Sequence, residues 1–289
     1  MKFKANAKIN LVLDVTGVKE NGYHKLYTVM QSVSLCDEIT AEKTAGEDII
    51  ITCSDENIPC DKRNIVYKCA ESFYKKLGIT ENRGLKVHIE KRIPSEAGLG
   101  GGSSDGACVL KALNIIYGEP FSLRELMFIG AGVGADIPFI LAGGTALCTD
   151  IGSVVAPLPS VKECVFLIVK PESSTSTKGA YEMIDSNRSL RHPKGEKMTE
   201  ALLDGDILNA FTFCDNIFEQ VIEVPERVDI KDIMRKCGAN AACMSGSGSS
   251  VFGVFMNRRE AEKCEKLLKE KYRNVYLCEP AQSGVEEVL

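Results

Sequence analysis

Apolar or small residues occupy each odd position from Phe3 to Val15, and this period of two predicts a strand with one face on a core. Glu20-Asn21-Gly22 predicts a turn, with further strands over Tyr27 to Leu35 and Asp48 to Cys53. The pattern then becomes helical: Ile65, Val66, Ala70, Phe73 and Leu77 form one stripe, capped by Asn64 and stopped by Gly78. Leu85 to Glu90 alternates again and runs into a glycine cluster, after which Ala107, Leu110, Leu113, Asn114 and Tyr117 predict a helix over 103–117. Ser122 and Glu125 spell a capping box, Gly130 to Gly134 a tight turn, Asp136-Ile137-Pro138 a helix start, and Thr145 to Cys148 a strand.

The segment Ala156-Pro157-Leu158-Pro159 carries no charge and predicts a boundary between domains at 1–155 and 156–289. Beyond it, the unbroken apolar run Cys164 to Val169 suits a central strand, and helical patterns cover Gly179 to Ile184 and Leu208 to Val224. Helices over 228–237 and 258–271 then alternate with strands over 242–244, 251–255 and 274–278. This order lacks the regular β-α spacing of a doubly wound sheet and predicts two α+β domains.

Composition narrows the class without naming an activity. The 289 residues are 44% hydrophobic and 26% charged, which fits a globular protein. A net charge of -5 gives no long-range attraction to nucleic acid or anionic lipid. The polar start, Lys2 to Lys8, is no signal peptide, and the expected location is the cytoplasm. Twelve cysteines contain no CxxC pair and do not cluster with His24, His88 or His192, so buried thiols are expected rather than a protein metal site. No coiled-coil repeat is present, and monomer and dimer both remain open.

The chemical signal is Pro94-Ser95-Glu96-Ala97-Gly98-Leu99-Gly100-Gly101-Gly102-Ser103-Ser104. Residues without Cβ let several N–H groups turn toward one anion, and the following helix adds its positive end. No Lys follows the glycines, which excludes a P-loop, and the cluster does not open a βαβ unit as a dinucleotide fingerprint does. Phosphoryl transfer to a hydroxyl then needs a base and a cation. Asp136, in a glycine-rich turn where N–H donors could keep it ionised, is the candidate base. Lys8, among small residues on the first strand, is the candidate cation. Locally, a helix cap and a solvent-facing strand residue remain the competing roles.

With these residues in hand, the chain resembles the GHMP kinase superfamily over nearly its whole length. The resemblance lies in Ala7-Lys8-Ile9-Asn10-Leu11, Asn21-Gly22-Tyr23-His24, Pro94 to Ser104, Gly134-Ala135-Asp136-Ile137-Pro138-Phe139, Lys170-Pro171 with Ser176-Thr177, and Met244 to Phe252. It implies an N-terminal domain like ribosomal protein S5 domain 2 and a ferredoxin-like C-terminal domain, with the active site between them. It implies ATP and Mg²⁺, with Pro94, Gly98, Leu99, Gly100, Gly101, Gly102, Ser103 and Ser104 at the nucleotide, and Lys8 and Asp136 as catalytic residues. Asn10, Tyr23, His24, Asp136 and Thr177 would meet the substrate, with Tyr23 and His24 on a cytosine ring. The glycine run Pro94 to Ser104 marks the superfamily, whereas Ala7 to Leu11, Gly22-Tyr23-His24 and Gly134 to Phe139 together point to the branch that phosphorylates a cytidyl-linked methylerythritol in isoprenoid precursor synthesis. A kinase of homoserine, mevalonate or a sugar is the alternative, and a non-catalytic binder a more distant one.

Overall fold

The structure, a computed structural model, describes residues 1–187 and 189–288. The first half contains β1 (Lys2–Val18), β2 (His24–Lys43), β3 (Ile49–Cys53), α1 (Ile65–Leu77), β4 (Leu85–Glu90), α2 (Gly101–Ile116), α3 (Leu123–Ala131), α4 (Ile137–Ala142), β5 (Thr145–Thr149) and β6 (Val154–Pro157). The second contains β7 (Val165–Lys170), α5 (Thr177–Ser186), α6 (Gly195–Leu203), α7 (Ile207–Phe211), β8 (Asp215–Asn216), α8 (Arg227–Lys236), β9 (Ala241–Met244), β10 (Val251–Phe255), α9 (Arg258–Lys269), β11 (Asn274–Cys278) and β12 (Val285–Val288).

These elements form a two-domain α+β fold built on two sheets. The larger runs β12-β1-β2-β4-β3, with β5 on β2, β6 on β5 and the short β8 on β1; the smaller runs β11-β7-β10-β9. The expected division at 155/156 falls inside β6, and β12 returns to pair antiparallel with the first strand, Lys2 opposite Val288. Cys164 to Val169 was expected to be central, and β7 lies between β11 and β10 with all six residues buried.

Local chemistry explains the first-domain helices. The Asn64 side chain accepts the Val66 N–H, and Gly78 closes α1 in the left-handed conformation. The Ser122–Glu125 capping box is complete. One core packs α1 and α2 onto β2 and β4, through residues such as Phe73, Leu110 and Ile89. A second joins the two sheets, with Ile9, Leu11 and Val29 from the first meeting Phe166, Phe252 and Phe211 from the second half. This buried seam fixes the two halves around a cleft.

Two expectations are corrected. The helix over Leu208 to Val224 is broken into α7, the two-residue β8 and a 3-10 turn at Ile217–Gln220. Asp215 and Asn216 instead pair with Val12 and Leu13, and the Asn216 amide donates to the Met244 and Gly246 carbonyls at 2.7 and 2.8 Å. At its start β1 leaves one face to solvent, at Lys2 and Lys4, but every residue from Ala5 to Val15 is buried.

Candidate active site

β1 carries the cation. Register shifts between Asn6 and Ala7 and between Asn10 and Val12 bracket Lys8, and such bulges re-aim side chains. Lys8 Nζ donates to Asn10 Oδ1 at 2.7 Å and lies 3.6 Å from Asp136 Oδ2. The Lys8 side chain is 5% exposed and that of Asp136 30%, so the ammonium is held from beneath while the carboxylate meets the cleft. Asp136 is the N-cap of α4 but makes no side-chain cap bond. The expected N–H donors are therefore replaced by the Lys8 ammonium, and the carboxylate stays free for chemistry.

Asn10 is buried and used within the protein. Its Oδ1 also accepts the Gly246 N–H at 3.0 Å, and its Nδ2 donates to Thr28 Oγ1 at 2.9 Å. It sits on the cleft floor as the link between Lys8 and the C-terminal glycine loop.

The glycine cluster packs directly on that loop. Gly98 has φ +73°, and a Cβ there would lie 2.1 Å from the Ser245 carbonyl oxygen. Ser245 Oγ donates to the Gly98 carbonyl at 2.9 Å, and the Leu99 carbonyl accepts the Lys8 N–H at 3.0 Å. Gly98→Ala therefore costs about 1–2 kcal/mol from the left-handed backbone alone, with the clash added; calorimetric melting should show a lower Tm together with weaker nucleotide binding.

Gly100 caps α2 with no side chain, and the first helical bond runs from the Ser104 N–H to the Gly100 carbonyl at 2.8 Å. The N–H groups of Gly101, Gly102 and Ser103 precede that bond and have no acceptor within the helix. Ser103 lines the cleft, whereas the buried Ser104 hydroxyl donates to the Asn6 carbonyl at 2.7 Å and ties α2 to β1. Leu99 is likewise buried, so its contribution at the cradle is backbone shape. Glu96 is exposed in a left-handed conformation, φ +51°.

Two hollows meet at this turn. One, of about 790 Å³, is lined by Lys8, Asn10, Tyr23, His24, Asp136 and Tyr181 among others; the second, of about 460 Å³, runs along Pro94 to Gly102 past Asn64 and Lys91. Both touch Gly98, Gly100, Ser103 and Thr177. The Thr177 hydroxyl lies 2.9 Å from that of Ser247, so it also joins α5 to the C-terminal loop.

At the far end of the larger hollow Tyr23 is 61% exposed on its turn. The His24 ring stacks on Tyr181 at 4.4 Å between centroids, and Tyr181 is backed edge-on by Phe218. Tyr181 escaped the sequence reading because it also fits an ordinary helical stripe with Ala180 and Ile184. Beneath the smaller hollow, Lys91 Nζ bridges Asp37 Oδ2 at 2.5 Å and Asp105 Oδ2 at 2.9 Å, in a cluster almost without solvent. Lys170 is buried below the 171–176 loop, where its ammonium donates to the Pro171 and Ser173 carbonyls at 2.7 and 3.0 Å.

A hollow with a Lys–Asp pair, joined through a bare helix N-terminus to a second hollow, has the parts a small-molecule kinase needs. The chain belongs to the GHMP kinase family: residues 64–144 match the GHMP kinases N terminal domain and residues 198–274 the GHMP kinases C terminal domain. It is 43% identical over 279 residues, 96% of this chain and 97% of the relative, to the 4-diphosphocytidyl-2-C-methyl-D-erythritol kinase of Caldicellulosiruptor bescii. A solved 4-(cytidine 5'-diphospho)-2C-methyl-D-erythritol kinase superposes with a TM-score of 0.76 at 28% identity, over 97% of this chain and 100% of that one. A homoserine kinase from Cytophaga hutchinsonii superposes with a TM-score of 0.77 at 22% identity, over 100% and 97% respectively. The last shares the fold alone, so the acceptor has to be argued from the site. Among the described residues no helix is long and apolar enough to cross a membrane.

Proposed function

We propose that the protein transfers the γ-phosphoryl group of ATP to the 2-hydroxyl of 4-diphosphocytidyl-2-C-methyl-D-erythritol, in the cytoplasm, as a step of non-mevalonate isoprenoid precursor synthesis. The carrying observation is the Lys8–Asp136 pair at the junction where the acceptor and nucleotide hollows share Gly98, Gly100, Ser103 and Thr177. Residues 1–155 and 156–289 are the two domains of this reading, with β12 lent back to the first sheet.

The acceptor lies in the larger hollow with its hydroxyl at Asp136. Asp136 takes the hydroxyl proton as the oxygen–phosphorus bond forms, and the bond to the departing ADP oxygen breaks. Lys8 stabilises the negative charge that gathers on the attacking oxygen. The phosphates lie over the N–H groups of Gly101 to Ser103 and the positive end of α2. These amides fit a polyphosphate, because no side chain stands at Gly100 or Gly101 to block its approach. Mg²⁺ would be held largely by the nucleotide's own oxygens, with the Ser103 hydroxyl as a nearby protein oxygen, and it supplies charge neutralisation on the phosphates.

Tyr23 and His24 fit the cytosine end, since an aromatic face can stack on the base and an imidazole can bond its edge. The relatives' 43% and 28% identity supports this substrate over homoserine or mevalonate. The test is ADP release with Mg-ATP and each of the cytidyl substrate, mevalonate, homoserine and galactose; turnover of the cytidyl compound alone is expected, and preference for another alcohol overturns the assignment. Tyr23→Ala should raise the KM for the cytidyl substrate by about tenfold, as loss of a base–aromatic stack does, and leave the KM for ATP unchanged.

A further inference from the structure

His24 is restrained twice by α5. Tyr181 fixes the plane of its ring, stacked at 4.4 Å and 23°. Asp185, one helical turn further on, fixes the rotation within that plane: its Oδ1 lies 2.8 Å from His24 Nε2. Residues four apart share a helix face, so one helix supplies both restraints. A carboxylate oxygen can only accept in this contact, so in the neutral ring Nε2 carries the proton and Nδ1 holds a lone pair. Among the described residues, the contact with Asp185 is the hydrogen bond that the His24 ring makes.

We propose that Asp185 is a positioning residue for base recognition, acting through His24. By taking the Nε2 proton it leaves Nδ1 as an acceptor for the exocyclic amine of cytosine. Uracil has a carbonyl oxygen where cytosine has that amine, so the same nitrogen would oppose lone pair to lone pair. The device thus selects the amino pyrimidine, and it rests on the reading of the larger hollow as a cytidyl site. The rest of α5 is untouched by the proposal: Asp185 is half exposed and takes no part in the hydrophobic core.

The experiment has one arm without substrate and one with it. In ¹⁵N-labelled protein, a long-range ¹H–¹⁵N spectrum should show His24 as the Nε2–H tautomer, and Asp185→Ala should convert it to a mixture. The same variant should raise the KM for the cytidyl substrate by about tenfold, the order of one hydrogen bond to a charged group. Its kcat should fall far less, its KM for ATP should stay constant, and its preference for the cytidyl over the uridyl compound should shrink. An Nδ1–H ring in the wild-type protein, or an unchanged KM in D185A, overturns the proposal. Failure of the wild-type protein to use the cytidyl substrate would instead sink the functional reading, and the tautomer arm would still report whether Asp185 sets the ring.

Discussion

Asp136→Asn should lower turnover by about 10²- to 10⁴-fold, the range for losing a general base, while nucleotide binding stays nearly unchanged. The substitution preserves the side chain's size and costs no helix cap, because Asp136 makes no cap hydrogen bond. It removes the proposed proton acceptor and the charge partner of Lys8, which remains tethered to Asn10 at 2.7 Å. The proposed nucleotide cradle runs from Gly98 to Ser103 and contains none of the atoms the substitution changes. Single-turnover rates and calorimetric titration with a non-hydrolysable ATP analogue separate the two quantities. Near wild-type turnover in D136N would remove Asp136 from the base role, and equal loss of nucleotide affinity would make it a structural residue.

Lys91→Met should destabilise the fold by about 3–5 kcal/mol, the usual effect of removing one partner from a buried ion cluster. Burial pulls the Lys91 ammonium down, but Asp105 and then Asp37 outweigh it and hold the group protonated. Asp37 also accepts the N–H groups of Arg92 and Ile93 at 2.6 and 2.8 Å. Asp105 has one oxygen on Lys91 and the other without a partner. Burial, followed by the neighbouring Asp37, pushes its carboxyl far above the usual carboxylate range.

The sign of the pH effect follows from that direction. The folded state keeps a proton on Asp105 that the unfolded chain releases near about pH 4. The contribution of Asp105 to stability is therefore fully present below that value and is lost as pH rises toward the raised folded pKa. Asp105→Asn removes this titration, so its Tm relative to wild type should improve from mildly acidic to mildly alkaline buffer. Chemical denaturation of K91M and melting of D105N across pH measure both effects; a K91M protein as stable as wild type, or a D105N difference flat in pH, would contradict the electrostatic account of the cluster.

The parts of the fold legible in the sequence are those fixed by local chemistry. Asn64 and Gly78 delimit α1, the Ser122–Glu125 box starts α3, and α2 begins within the glycine run, at Gly101. Lys8 and Asp136 could be singled out by residue type, but only the long-range pairing of β1 with the start of α4 brings them to 3.6 Å. Period alone could not show that β1 is covered on both faces, since the second cover arrives from residues beyond 160. The apolar spacing over Leu208 to Val224 is helical in isolation. Asn216 interrupts it because its amide is worth more on two distant carbonyls of the C-terminal loop than inside a helix. Asp185 gave no signal at all, as a lone acid on an exposed helix face reads as solubility.

The return of β12 to β1 has a consequence for how the protein is made. Strand β1 finds its edge partner only when residues 285–288 leave the ribosome, since Lys2 pairs with Val288 and Ala5 with Val285. A nascent chain can assemble β1, β2 and β4 with α1 and α2 early, but it carries an open β1 edge until β12 is made. Pairing with β12 closes that edge, and with it the scaffold behind Lys8, only after every strand of the second sheet has been made.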